Sequence, residues 1–139
     1  MSAAVPRPAS PGTLVTAFVL GVVFHALCYE AWAPYGHRMR PAHRLLLALT
    51  IGLMFIVPMV LTYWQRLRVR TAPTAILLGM CLANALLIMW DTADDPTNHN
   101  LWPFEFIGIL VLSIPAYLGS FVGRSLRRHS SSDADSLSS

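Results

Sequence analysis

Glu30, His37, Asp91 and His99 lie at or just beyond the ends of long apolar runs, in two well-separated stretches of the chain. Carboxylate oxygens and imidazole nitrogens together suit a borderline divalent cation such as zinc, whose N and O ligands stand at about 2.0–2.2 Å. Asp94, Asp95 and Glu105 add an acidic cluster around His99. The competing reading is that side chains at helix ends cap orphan N–H groups or are simply hydrated, with Asp95-Pro96 an ordinary turn signal. A dense ligand motif such as His-Glu-x-x-His is missing from the sequence.

His25 and Asn84 are of another kind, because each sits inside an apolar run. Polar and ionisable side chains in hydrocarbon are costly, so each demands a partner or a role. Ala17, Gly21 and His25 recur at four-residue spacing and share one face of a helix, which turns His25 toward the interior of a bundle. Asn84 falls at a similar depth, with Thr50 and Ser113 as further polar candidates. Two readings remain open: a hydrogen bond between His25 and Asn84 that fixes helix register, or a step in a proton relay or ligand site. Haem is not expected, since bis-histidine ligation needs a second deep histidine and only His25 is deep.

Other chemistries lack their residues. Cys28 and Cys81 each lie in an apolar run without paired spacing and read as structural thiols. There is no Ser/His/Asp set with a nucleophile-elbow glycine pattern, no Gly-rich phosphate loop, no CxxC and no Asn-x-Ser/Thr sequon. No catalytic residue is therefore assigned, and an enzyme is not the favoured reading.

The elements that must position these residues follow from composition. Of 139 residues, 55% are hydrophobic and 12% charged, about half the charge of a soluble domain. The mean hydropathy is +0.53. About 20 apolar residues cross the hydrocarbon core, and four such runs are present, at about 13–33, 45–64, 74–91 and 102–123. They leave no room for a nucleotide-binding domain or any other soluble fold. The first run follows Arg7 as a signal peptide would, but Pro34 directly after Ala31-Trp32-Ala33 argues against cleavage and for a retained anchor. Residues 1–12, with three prolines, and 124–139, Arg-rich and then Ser/Asp-rich, read as disordered tails.

Short connectors, each taken as roughly ten residues, force neighbouring helices to run antiparallel. The expected fold is thus all-α, an antiparallel bundle of four transmembrane helices. Arg7, Arg66, Arg68, Arg70, Arg124, Arg127 and Arg128 fall on one side of it, against Arg38, Arg40 and Arg44 on the other. Arginine excess marks the cytoplasmic side, so both termini are expected in the cytoplasm, at the inner membrane of a bacterium. The same placement makes the net charge of +3 an orientation signal rather than a nucleic-acid surface. Glu30, Asp91, Asp94, Asp95, Glu105, His37, His43 and His99 then gather on the outer side.

Small residues four apart recur in every span: Ala17/Gly21, Ala48/Gly52, Ala75/Gly79/Ala83 and Gly119/Gly123. Such stripes let helix backbones approach closely, within one chain or between subunits. Tyr29-Glu30-x3-Pro34-x2-His37 also echoes Trp90-Asp91-x4-Pro96-x2-His99. Genuine duplication would relate two helical hairpins by an axis along the membrane normal. The leading expectation for function is a non-catalytic accessory or scaffold subunit of a membrane assembly, in contact with lipid and with other subunits or itself. The alternative is a homo-oligomeric transporter or channel for protons or metal ions, with the outer cluster as collector and His25 with Asn84 as the intramembrane step.

Overall fold

The computed structural model describes the backbone of residues 9–32, 41–65, 67–94 and 102–136, and the side chains of 9–29, 42–65, 67–94 and 103–130. Four helices make up the fold: α1 (Pro11–Trp32), α2 (Pro41–Gln65), α3 (Thr71–Asp94) and α4 (Trp102–Ser136). All four are long and apolar enough to cross a membrane. Proline stands at or next to the start of α1, α2 and α4, where its missing N–H is one of the helix's orphans anyway. At α1, Ser10 supplies the cap: its Oγ accepts from the Thr13 N–H at 3.2 Å. Pro58 and Pro115 lie inside α2 and α4, where each leaves a preceding carbonyl without its helical donor.

Three side-chain bonds fix the directions of the helices. Thr13 near the start of α1 reaches Gln65 at the end of α2 at 2.7 Å, so these two run antiparallel. Thr74 meets Tyr117 at 3.1 Å and Asn84 meets Glu105 at 3.3 Å, so α3 and α4 do too. The helices form a ring in the order α1, α3, α4, α2, with α2 and α3 on one diagonal. The connector between those two spans only residues 66–70, about half the length expected, and its Leu67 is 3% exposed.

The closest packing is not between sequence neighbours. It joins α1 to α3 and α2 to α4, each a pair of parallel helices. A methyl group on Gly21 would overlap the carbonyl of Ile76, and one on Gly79 would overlap that of Phe18. In the second pair, Gly119 abuts the carbonyl of Phe55 and Gly123 that of Met59. The absence of a Cβ at these four positions is what lets the backbones touch. Gly52 differs, for a Cβ there would meet no described atom within 4 Å, and Ala48 one turn earlier is exposed.

Burial is inverted relative to a soluble protein. The interior holds small or polar side chains such as Ala17, Ala75, Ala116, Thr50, Thr62, Ser113 and Ser120, joined by Phe24, Met54, Ile76, Met80 and Ile109. Leucines, valines and isoleucines cover the outside, as lipid contact permits. Trp64 and Trp90 are 77% and 73% exposed at opposite ends of the bundle, where an interfacial aromatic belt belongs.

One expectation needs correction, and one conditional reading is not met. The segment from Arg124 is not a disordered tail up to its last residues, because α4 continues through Ser136. The Arg127 guanidinium donates to the carbonyl of Thr62 at 3.4 Å, and Ser130 donates to the carbonyl of Leu126 at 3.1 Å, so the extension is tied to α2 and to itself. Secondly, an axis along the membrane normal would place equivalent helices of two duplicated hairpins on the diagonals of the ring. Here α1 stands beside α3 and α2 beside α4, so the hairpins are not arranged about such an axis. Pro34, His37, Pro96 and His99, which carry the echo, lie outside the described residues.

Candidate functional site

The interior face of α1 is set by Ala17, Gly21, Phe24, His25 and Cys28, all buried. Because Gly21 brings α1 against α3, His25 one turn later is held opposite Asn84. His25 is 9% exposed and Asn84 4%, and His25 Nε2 lies 3.1 Å from Asn84 Oδ1. The Asn84 Nδ2 amino group then donates to Glu105 Oε2 at 3.3 Å. Three helices, α1, α3 and α4, are thereby linked by one chain of polar side chains.

The direction of that chain follows from the donor inventory. The amino group of Asn84 faces the Glu105 carboxyl oxygen, which accepts, and its carbonyl oxygen faces His25. An amide oxygen only accepts as well, so the bond to His25 requires the imidazole to carry a proton on Nε2. Tyr29, one turn further along α1, stacks on the imidazole with ring centroids 6.4 Å apart and an interplanar angle of 17°. The imidazole thus has a hydrogen bond at its Nε2 edge and a nearly parallel aromatic ring as a neighbour.

Glu105 was grouped by sequence with Asp94 and Asp95, and the structure moves it. It lies in the first turn of α4, half-buried, and its contact with Asn84 sits ten residues of helix, about 15 Å along the axis, from Asp94. Asp94 is exposed at the end of α3, and Asp95 lies outside the described residues. Of the four candidate metal ligands, Asp91 is half-buried on α3. Glu30 falls within α1 with its side chain outside the described residues, as are His37 and His99 entirely. Among the described residues no group of three or more His, Cys, Asp or Glu side chains could hold a metal ion.

Thr50 and Ser113 have local roles. Each hydroxyl donates to a carbonyl of its own helix, Leu46 at 2.8 Å and Leu110 at 2.7 Å, a way for a hydroxyl to lie buried without a tertiary partner. A second buried link was missed by the sequence reading: Thr62 donates to Ser120 at 3.1 Å between α2 and α4. Its signal was present, since Thr50, Met54, Pro58 and Thr62 form a four-residue stripe and Ser120 adjoins Gly119. Each close helix pair therefore carries one glycine contact zone and one buried polar bond.

No protein-family model matches the chain, and no curated protein or solved structure is detectably similar to it. Chemistry alone must therefore decide what the polar chain does. A double-mutant cycle of His25→Ala and Asn84→Ala, followed by unfolding of the detergent-solubilised protein, is expected to yield a coupling of about 0.6 kcal/mol, the average for interhelical bonds in membranes, and no more than about 1.7 kcal/mol. A coupling of zero would remove the bond from the folded state.

Proposed function

We propose that this protein is a non-catalytic accessory or scaffold subunit of a larger membrane assembly. The observation that carries this reading is the outward-facing Ala48/Gly52 stripe of α2. The glycines of α1, α3 and α4 at Gly21, Gly79, Gly119 and Gly123 meet neighbouring backbone inside the chain, whereas Gly52 meets no described atom within 4 Å. Lipid gives no hydrophobic drive for helices to associate, so a small-residue stripe on the lipid face is a surface suited to a partner helix. The small-xxx-small pattern thereby serves two ends, internal packing on three helices and external docking on the fourth.

The subunit would stand in the inner membrane of a bacterium with both termini in the cytoplasm, supported by the arginines that flank the spans at one end. A reporter fused beside Arg68 is expected to respond on the cytoplasmic side, and a response from the opposite side would invert the orientation. For the accessory role, Gly52→Leu is expected to leave the thermal stability of the isolated chain unchanged within about 0.5 kcal/mol, because the site is open. In the same cells it should abolish a stoichiometric foreign chain seen by mass spectrometry of the wild type purified in mild detergent. Retention of that chain, or a homo-oligomer as the sole species, would overturn the reading.

One observation favours a second reading, a homo-oligomeric proton transporter. The His25, Asn84 and Glu105 side chains form a hydrogen-bonded series from the middle of α1 to the first turn of α4. Imidazole and carboxylate are the groups that relay protons in membrane pumps. His25→Gln retains a donor for Asn84 but cannot carry a proton. Under this reading it abolishes proton flux into liposomes while the helical content stays, and undiminished flux would end the relay.

A further inference from the structure

Where α2 hands over to α3, a groove of about 720 Å3 opens on the bundle surface. Its polar half is made by Arg68 and Arg70 of the connector and Arg124 of α4. Its apolar half is made by Leu14 of α1 and Leu78 of α3, which are 39% and 57% exposed toward the lipid side. No carboxylate lines it, and among the described residues none of the three guanidiniums has a side-chain hydrogen bond or ion pair. Of the six acidic residues on the described helices, four lie at or near the opposite end of the bundle. The other two, Asp133 and Asp135, sit on the extension of α4, at least nine residues or about 14 Å of helix beyond Arg124.

We propose that this groove seats an anionic phospholipid, with its phosphate against Arg68, Arg70 and Arg124 and an acyl chain along Leu14 and Leu78. Three observations converge on that occupant. Guanidinium forks match phosphate oxygens in pairs, and three of them around one cavity leave a positive charge unanswered among the described residues. The groove stands at the boundary of the apolar spans, at the end of the bundle where α2 carries the exposed Trp64, the depth at which headgroups lie. Its two halves, cationic above and apolar below, match an amphiphile, whereas a free phosphate would use only the first. Basic pockets between transmembrane helices are suited to acidic headgroups in this way.

The test titrates the full chain in detergent with phosphatidylglycerol or phosphatidylcholine and counts bound lipid by native mass spectrometry. Phosphatidylglycerol is expected to be retained one per chain in preference to phosphatidylcholine. Arg70→Gln or Arg68→Gln should each weaken it about fivefold, the effect of about 1 kcal/mol per basic residue. Both side chains are exposed, so neither change disturbs the core. Arg128→Gln, an equal loss of charge outside the groove, should leave retention unchanged. Equal retention of the two lipids would overturn the proposal, as would an equal loss in Arg128→Gln, which would signify diffuse attraction. Displacement of the lipid by glycerol phosphate at matched concentration would also overturn it, assigning the groove to a free anion.

Discussion

Inside a bilayer, one apolar helix gains little by exchanging lipid contact for contact with another, so shape and polarity must supply what hydrophobicity does not. The architecture here depends on that constraint through four glycines. Gly21 and Gly79 join α1 to α3, and Gly119 and Gly123 join α2 to α4, each by backbone meeting backbone. Once those pairs are closed, the polar side chains have no freedom of placement. His25 lies opposite Asn84 and Thr62 opposite Ser120 because the glycines nearby have already set the register. Bonds of this kind average only about 0.6 kcal/mol in membranes. They specify which residues face one another more than they supply stability.

The two pairs are joined more loosely, by a shared apolar core and by polar side-chain bonds. Asn84 with Glu105 and Thr74 with Tyr117 cross from α3 to α4, while Thr13 with Gln65 crosses from α1 to α2. Asn84 takes part in both kinds of contact, within a pair through its carbonyl and between pairs through its amino group. It is the residue that links His25 of α1 to Glu105 of α4. The two ends of the bundle also differ chemically. One carries the exposed arginines of the short connector, and the other Asp91 and Asp94 of α3 and Glu105 of α4.

The existence of four apolar spans and the inward face of His25 were legible in the sequence, because apolar run length and four-residue spacing are local properties. The pairing of His25 with Asn84 was legible as one of two readings, since both stood at similar depth. The place of Glu105 was not. Its position in the chain, next to Pro103 and close to Asp94 and Asp95, matched a solvated helix start equally well, and only the alignment of α3 against α4 brings it to Asn84. Helix neighbours were hidden for the same reason. Short connectors imply antiparallel succession but leave open which helices pack closely, and glycine stripes look alike whether they face inward, as at Gly79, or outward, as at Gly52. The helical extension past Arg124 went unread because serine and aspartate favour caps and turns over helix interiors.

The preference of each helix for its second neighbour has a consequence for synthesis. When α1 and α2 have entered the membrane, neither has its close partner, because α3 and α4 are still to be made. About 60 residues separate the end of α1 from the end of α3, and at 5–20 residues per second a ribosome needs roughly 3–12 s to add them. Throughout that interval Gly21 has no backbone to meet and His25 no amide to bond. The first hairpin must therefore persist in lipid as an unfinished surface, and the fold closes only when the second hairpin inserts beside it, each new helix completing one made earlier.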